Sequence, residues 1–182
     1  MSAPPAVAPK QIVDFVHLPA FPATGPQILT IVKYEYLPEY INPFDNPPKP
    51  AFPAIAFTLG AETAGGIGFV AALPTRYSLH EKATYPKLYK MATGKEALAG
   101  TTPDAMIGKG ISANVENIEK VSKKGTKYTR SQVGGFSVVH PKLVGEITPL
   151  AKLLPALTAI LAKSALSDKA DKPATNDNAN PF

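Results

Sequence analysis

No cysteine occurs in the 182 residues, which excludes a disulfide scaffold, a thiol nucleophile and a thiolate zinc site. No apolar run reaches the roughly 18 residues that suggest a membrane-spanning helix, and the N-terminus lacks the basic-then-apolar pattern of a secretory leader. A soluble intracellular protein with no membrane partner is therefore expected. Charged residues make up only 18%, whereas hydrophobic residues make up 45%, too many for chain-wide disorder and enough for one good core. The three histidines, His17, His80 and His140, are far apart, and His80 adjoins Glu81 instead of forming the helical HExxH pair that holds zinc. Residues 60–68 (GAETAGGIG) have neither the lysine of a phosphate loop nor a GxGxxG pattern, and read as a hairpin turn. There is no GxSxG elbow, and Glu116 and Glu119 fall on opposite faces of a strand. Nothing supplies a catalytic set, so no enzyme, no metal and no cofactor is expected.

Proline is abundant instead, with 20 residues alongside 13 glycines, which implies many turns and few long helices. Charge is also unevenly placed. Residues 76–130 hold eleven Lys and Arg against five acids, while residues 1–75 hold three against five and residues 131–182 five against four. A basic middle between near-neutral flanks points to a local polyanion site, with a solvated lysine-rich face as its plain alternative.

Along the chain, residues 1–26 hold six prolines and no sustained period, and read as an extended proline-rich arm. Residues 27–36 (QILTIVKYEY) are β-branched and aromatic and predict a strand, with at least one of Tyr34 and Tyr36 buried. Residues 37–53 are proline-studded and predict a long loop. Two short apolar runs, 54–59 and 67–73, flank Gly65-Gly66 as a hairpin. Pro86 and Gly94 bracket a helix over 84–94, which would place Leu88, Met91 and Ala92 on one face. Residues 111–119 form a strand with Ile111, Ala113 and Val115 inward, residues 120–125 a basic turn, and residues 127–133 the returning strand. Leu150, Leu153, Leu154, Leu157, Ile160 and Leu161 follow helical spacing, with regular helix expected to start near Pro155. Residues 141–166 thus form a C-terminal amphipathic helix region, and 167–182 a polar disordered tail.

Three strands, a helix and two strands is the order of a mainly β, five-stranded Greek-key OB barrel with its helix between strands three and four, here over residues 27–140. Such barrels bind single-stranded nucleic acid with a cationic groove and aromatic platforms. Lys123, Lys124, Lys127 and Arg130 are the candidate phosphate contacts, with Lys120 and Arg76 as outer members. Tyr128, beside the basic turn, is the candidate stacking ring, and Tyr77 a second.

Read together, "LPTRYSLHEKATYPKLYKMATGK" (residues 73–95) and "MIGKGISANVENIEKVSKKGTKYTRSQV" (residues 106–133) resemble a group of phage-encoded single-stranded DNA-binding or replication-module proteins. The shared pattern is an "hEK…LxKhhxxxTGK" helix, an "hIGKxhxxxV" strand and a "KKGxxYxxI" hairpin. Met106-Ile107-Gly108-Lys109 matches the start of the strand, and Lys123, Lys124, Gly125 and Tyr128 match the hairpin; Ser131 stands where the pattern has an apolar residue. The resemblance implies a DNA replication or recombination role in the host cytoplasm. The chain also ends in Pro181-Phe182, similar to the tip on which partners of bacterial single-stranded DNA-binding proteins dock, although Asn176, Asn178 and Asn180 replace the acids expected there.

The expected function is therefore sequence-nonspecific single-stranded DNA binding, with replication or recombination proteins as partners of the tip and a homo-oligomer as the working form. A virion accessory or assembly protein, using its arms for subunit contacts, is the rival from another class. A duplex or RNA binder is a third reading, because lysines do not choose between polyanions.

Overall fold

The structure, a computed structural model, describes residues 18–122 and 124–170. Its longest strand, β1 (Gly25–Tyr40), organises the rest. The first half pairs antiparallel with β5 (Gly110–Val121), from Gly25 opposite Val115 to Thr30 opposite Gly110. The second half pairs with β2 (Phe52–Thr63), from Thr30 opposite Gly60 to Tyr40 opposite Phe52. One strand thus serves two neighbours in succession, which curls the sheet. β2 turns through Ala64 and Gly65 into β3 (Gly66–Ala71), and a two-residue strand β4 (Thr75–Arg76) pairs with Ala54 and Ile55. β6 (Lys127–Ser137) returns along β5. The order β3-β2-β1-β5-β6 then brings β3 next to β6, giving a nearly closed antiparallel barrel.

β1 and β2 both reach into the stretch expected to be loop, leaving only residues 41–51 between them. Proline fails in a strand where its missing N–H is needed by a partner. Beyond Ile31, β1 has β2 on one side only, and its register shifts between Leu37 and Tyr40, so Pro38 is tolerated there. A second bulge, between Ile31 and Lys33, breaks the simple alternation of inward residues. Leu29 and Ile31 enter the barrel core, while Val32 is buried in a separate cluster outside it. Neither Tyr34 nor Tyr36 is buried as expected: Tyr34 is half-buried and Tyr36 is 51% exposed.

Helix α1 (Thr84–Thr93) ends as its sequence predicts, with Gly94 left-handed (φ 72°) and its N–H donating to the Lys90 carbonyl. Its fully buried residues are Tyr85, Leu88 and Tyr89, and Met91 and Ala92, expected on the face of Leu88, pack partly buried against the same core. The three fully buried residues join Ile55, Phe57, Leu59, Val70, Met106, Ile111, Ala113 and Val115 in the main core. Each large side chain among them stabilises by roughly 1.5–3 kcal/mol through burial.

Two further segments complete the barrel. Residues 18–24 lie as an extended strap whose Phe21 is 1% exposed in the core. A Cβ on Gly68 would fall 2.2 Å from Pro22 and 2.8 Å from the Phe21 ring; only glycine admits the strap there. At the other end, α2 (Leu150–Ala170) begins at Leu150, not near Pro155, and runs past Ser167. Pro155 removes the bond to the Ala151 carbonyl and crowds it, near the start of the helix and at exposed residues. Leu153 and Leu157 bury against Val32 and Phe69 on the outer surface of β1 and β3. The Phe69 ring lies where a Cβ on Gly60 would be, 2.7 Å away. Thr148 fixes the approach to α2: its carbonyl accepts from the Thr30 hydroxyl at 2.7 Å and its hydroxyl from the Glu62 N–H at 2.9 Å.

Candidate nucleic-acid interface

β5 pairs with β1 only as far as Val115 but with β6 as far as Val121. The ends of β5 and β6 therefore continue beyond the barrel wall as a two-stranded ribbon. Strand alternation sorts its side chains. Glu116, Ile118 and Lys120 stand opposite Gln132, Arg130 and Tyr128 on one face. Asn117, Glu119 and Val121 stand opposite Ser131, Thr129 and Lys127 on the other. The turn closes with the Ser122 N–H donating to the Thr126 carbonyl and the Gly125 N–H to the Ser122 carbonyl, both at 2.9 Å. Gly125 sits at φ 79°, which an L side chain would strain.

The first face borders a cleft of about 330 Å³. Lys120, Tyr128 and Arg130 line one side, Ala71 and Leu73 of the β3 end the other, and Phe44 of the β1–β2 loop reaches in. Phe44 is 69% exposed, Leu73 54% and Tyr128 37%, so apolar surface and rings face solvent beside cations. The loop is folded on itself: the Phe44 N–H donates to Asn42 Oδ1 at 3.1 Å, Asn42 Nδ2 donates to Asp45 Oδ1 at 3.3 Å, and Lys49 pairs with Asp45 at 3.5 Å. Asparagine bonding to the backbone two residues on makes an Asx turn, which presents the following ring outward.

The cationic strip extends beyond the cleft. Tyr40 packs edge-on against Phe52 with centroids 5.5 Å apart, and the Arg76 guanidinium lies 4.7 Å over the Phe52 ring. Burial raises the Tyr40 pKa, the Asp45 charge adds to this, and Arg130 partly offsets it. Arg76 thus stands over the Phe52 ring, and Tyr40, edge-on to that ring, feels the Arg130 charge.

The expected site residues do not all converge. Lys120, Tyr128 and Arg130 line the cleft; Lys124 is exposed at the ribbon tip; Arg76 lies apart on the aromatic strip. Lys127 is exposed but belongs to the opposite face of the ribbon. Tyr77 is not at the cleft. Its hydroxyl donates to the Thr101 carbonyl at 3.0 Å, and its ring packs edge-on between Tyr36 and Tyr85 at 5.8 and 5.0 Å. Lys123, Pro181 and Phe182 lie outside the described residues. Phe44 and Leu73 are cleft residues that the sequence did not mark as site candidates; for Phe44, a lone aromatic in a polar Asn-Pro-Phe-Asp loop is the signal.

Ser131, the departure from the phage-type pattern, turns inward and ties the ribbon to the strap. Its hydroxyl accepts from the Phe21 N–H at 2.7 Å and donates to Asn117 Oδ1, while Asn117 Nδ2 donates to the Phe21 carbonyl at 3.0 Å. An apolar residue here would strand a backbone donor.

No family model, no curated protein and no solved structure matches this chain. What the cleft does has to follow from its own atoms. Lys120, Lys124 and Lys127 form no ion pair among the described residues, so their charge is available to a mobile anion. His80 and His140 each accept a backbone N–H at Nδ1, from Lys82 and Lys142, both at 3.2 Å; they shape turns. Among the described residues no three His, Asp or Glu side chains group as metal ligands, and no helix is long and apolar enough to cross a membrane.

Proposed function

We propose that the protein is an OB-type single-stranded DNA-binding protein with little sequence preference, acting in phage DNA replication or recombination. The strand order, the position of α1 between the third and fourth long strands, and a cleft framed by the β1–β2 loop and the β5–β6 ribbon all agree with that fold's way of holding oligonucleotides. One observation carries the functional reading: exposed Phe44 and Tyr128 share a cleft with Lys120 and Arg130. Lysine and arginine displace counterions from phosphates, while rings reward only bases whose faces are open, which a duplex denies. Stacking on rings tolerates every base, which gives coating rather than site recognition. The resemblance of residues 73–95 and 106–133 to phage replication-module proteins supports the biological setting.

Titration with poly-dT at two salt concentrations, with duplex DNA as competitor, tests the proposal. Affinity should weaken with salt by a log–log slope of about −0.7 per phosphate neutralised, and duplex should compete poorly. Absence of binding, or equal affinity at both salts, overturns it. A second reading, subunit assembly, is favoured by Val138, Leu143 and Val144, which are exposed around the 3-10 turn Pro141–Glu146. Light scattering with and without oligo-dT separates the two, because a large assembly indifferent to DNA belongs to the second.

A further inference from the structure

Tyr128 lines two clefts. Besides the one holding Phe44, it lines a second of about 530 Å³ on the other side of the ribbon, between residues 18–20 of the strap and Ser122, Thr126 and Thr129. Lys120 and Arg130 belong to the first face, Lys127 belongs to the second, and Lys124 stands at the tip between them. Cations therefore stand on both faces of the ribbon and at its end, and one residue lines both clefts.

We propose that a single strand of nucleic acid wraps the ribbon tip, occupying the Phe44 cleft on one face and the strap cleft on the other. This rests on the single-stranded binding reading above and adds a second subsite to it. The occupant of the strap cleft is the same strand because the two clefts share Tyr128 and exposed Lys124 stands between them. The strap face is not purely cationic: Glu119, opposite Thr129, is exposed on it beside Lys127. Its carboxylate repels the incoming phosphate, so binding there is weaker and fills only when the strand is long enough to reach it.

Fluorescence-anisotropy titrations of the full chain with oligo-dT of about 4 and about 16 nucleotides, spanning the site sizes of single OB-type domains, test the wrap. Lys120→Ala should weaken both oligonucleotides. Lys127→Ala should weaken only the long one, roughly fivefold, and reduce its salt slope by about 0.7, the loss of one phosphate contact. Glu119→Gln should tighten only the long one. If neither oligonucleotide binds the parent protein, the functional reading and the wrap fall together. If both bind but Lys127→Ala affects the two lengths equally or not at all, the wrap alone is overturned. All three changes are at exposed side chains, and matching thermal midpoints confirm that folding is intact.

Discussion

On β1–β3 the outer surface of the barrel carries Val32, Gly60 and Phe69 beneath Leu153 and Leu157 of α2, whereas on the β5–β6 ribbon it carries Lys120, Tyr128 and Arg130 beside the β1–β2 loop. Both belong to one curved sheet, yet the first is apolar and sealed by the chain itself and the second is cationic and open. OB-type barrels commonly use the surface of strands two and three for ligand. In this barrel α2 covers Val32 and Phe69 of the corresponding surface, and the proposed binding surface lies instead on the ribbon and at the gap between β3 and β6. A barrel supplies surface in all directions; which part stays open is settled by what the rest of the chain covers.

Substitutions on the two surfaces should separate cleanly. The largest effect is expected from Leu153→Ala, which empties a fully buried site under α2 and should cost about 2–5 kcal/mol of stability. Denaturant unfolding measures it, and the affinity of the folded protein for oligo-dT should not change; a change in affinity would break the division between the surfaces. Tyr128→Ala and Phe44→Ala reverse the pattern, each weakening oligo-dT binding by about 1–3 kcal/mol if it stacks on a base, with the unfolding midpoint almost unmoved. An unaltered affinity for both would leave the rings structural only.

Ser131→Val tests the joint between ribbon and strap. It installs the apolar residue of the phage-type pattern and leaves the Phe21 N–H without its acceptor, for a loss of about 1–3 kcal/mol in unfolding free energy. The smallest effect at neutral pH is expected from Tyr85→Phe. Burial, with the neighbouring tyrosines, pushes the Tyr85 pKa well above the ordinary 10.0. Above pH 10 an unfolded Tyr85 loses its proton while the folded one keeps it, so the unfolded state gains and stability falls as pH rises. Alkaline melts should show Tyr85→Phe holding its midpoint to higher pH than the parent protein; identical profiles would place the alkaline sensitivity elsewhere.

The sequence was most legible where local chemistry decides the outcome. Pro86 and Gly94 bracket α1 because one suits the first helical turn and the other adopts a left-handed cap. The alternating Ile111, Ala113 and Val115 mark the core side of β5, and all three are buried. The basic turn of the β5–β6 ribbon was readable from Lys120, Lys124, Gly125 and Lys127. Legibility ended where parity or distance intervened. The bulge at Ile31 and Lys33 reassigns the faces of β1, and no side chain announces it. Lys127 and Tyr77 are close in sequence to the cleft residues Tyr128 and Leu73, yet one alternates to the other face and the other is drawn into a tyrosine cluster.

By itself, then, the chain's residue order determined a mainly β architecture, the helix ends and a concentration of positive charge near one hairpin, because propensity, capping and composition act over a few residues. Only the tertiary structure decided that Phe44 and Leu73 meet that hairpin, that Phe21 plugs the barrel, and that α2 covers the outer surface of β1 and β3. Those contacts join residues distant along the chain, and they depend on how the sheet curls and closes, which no local pattern encodes.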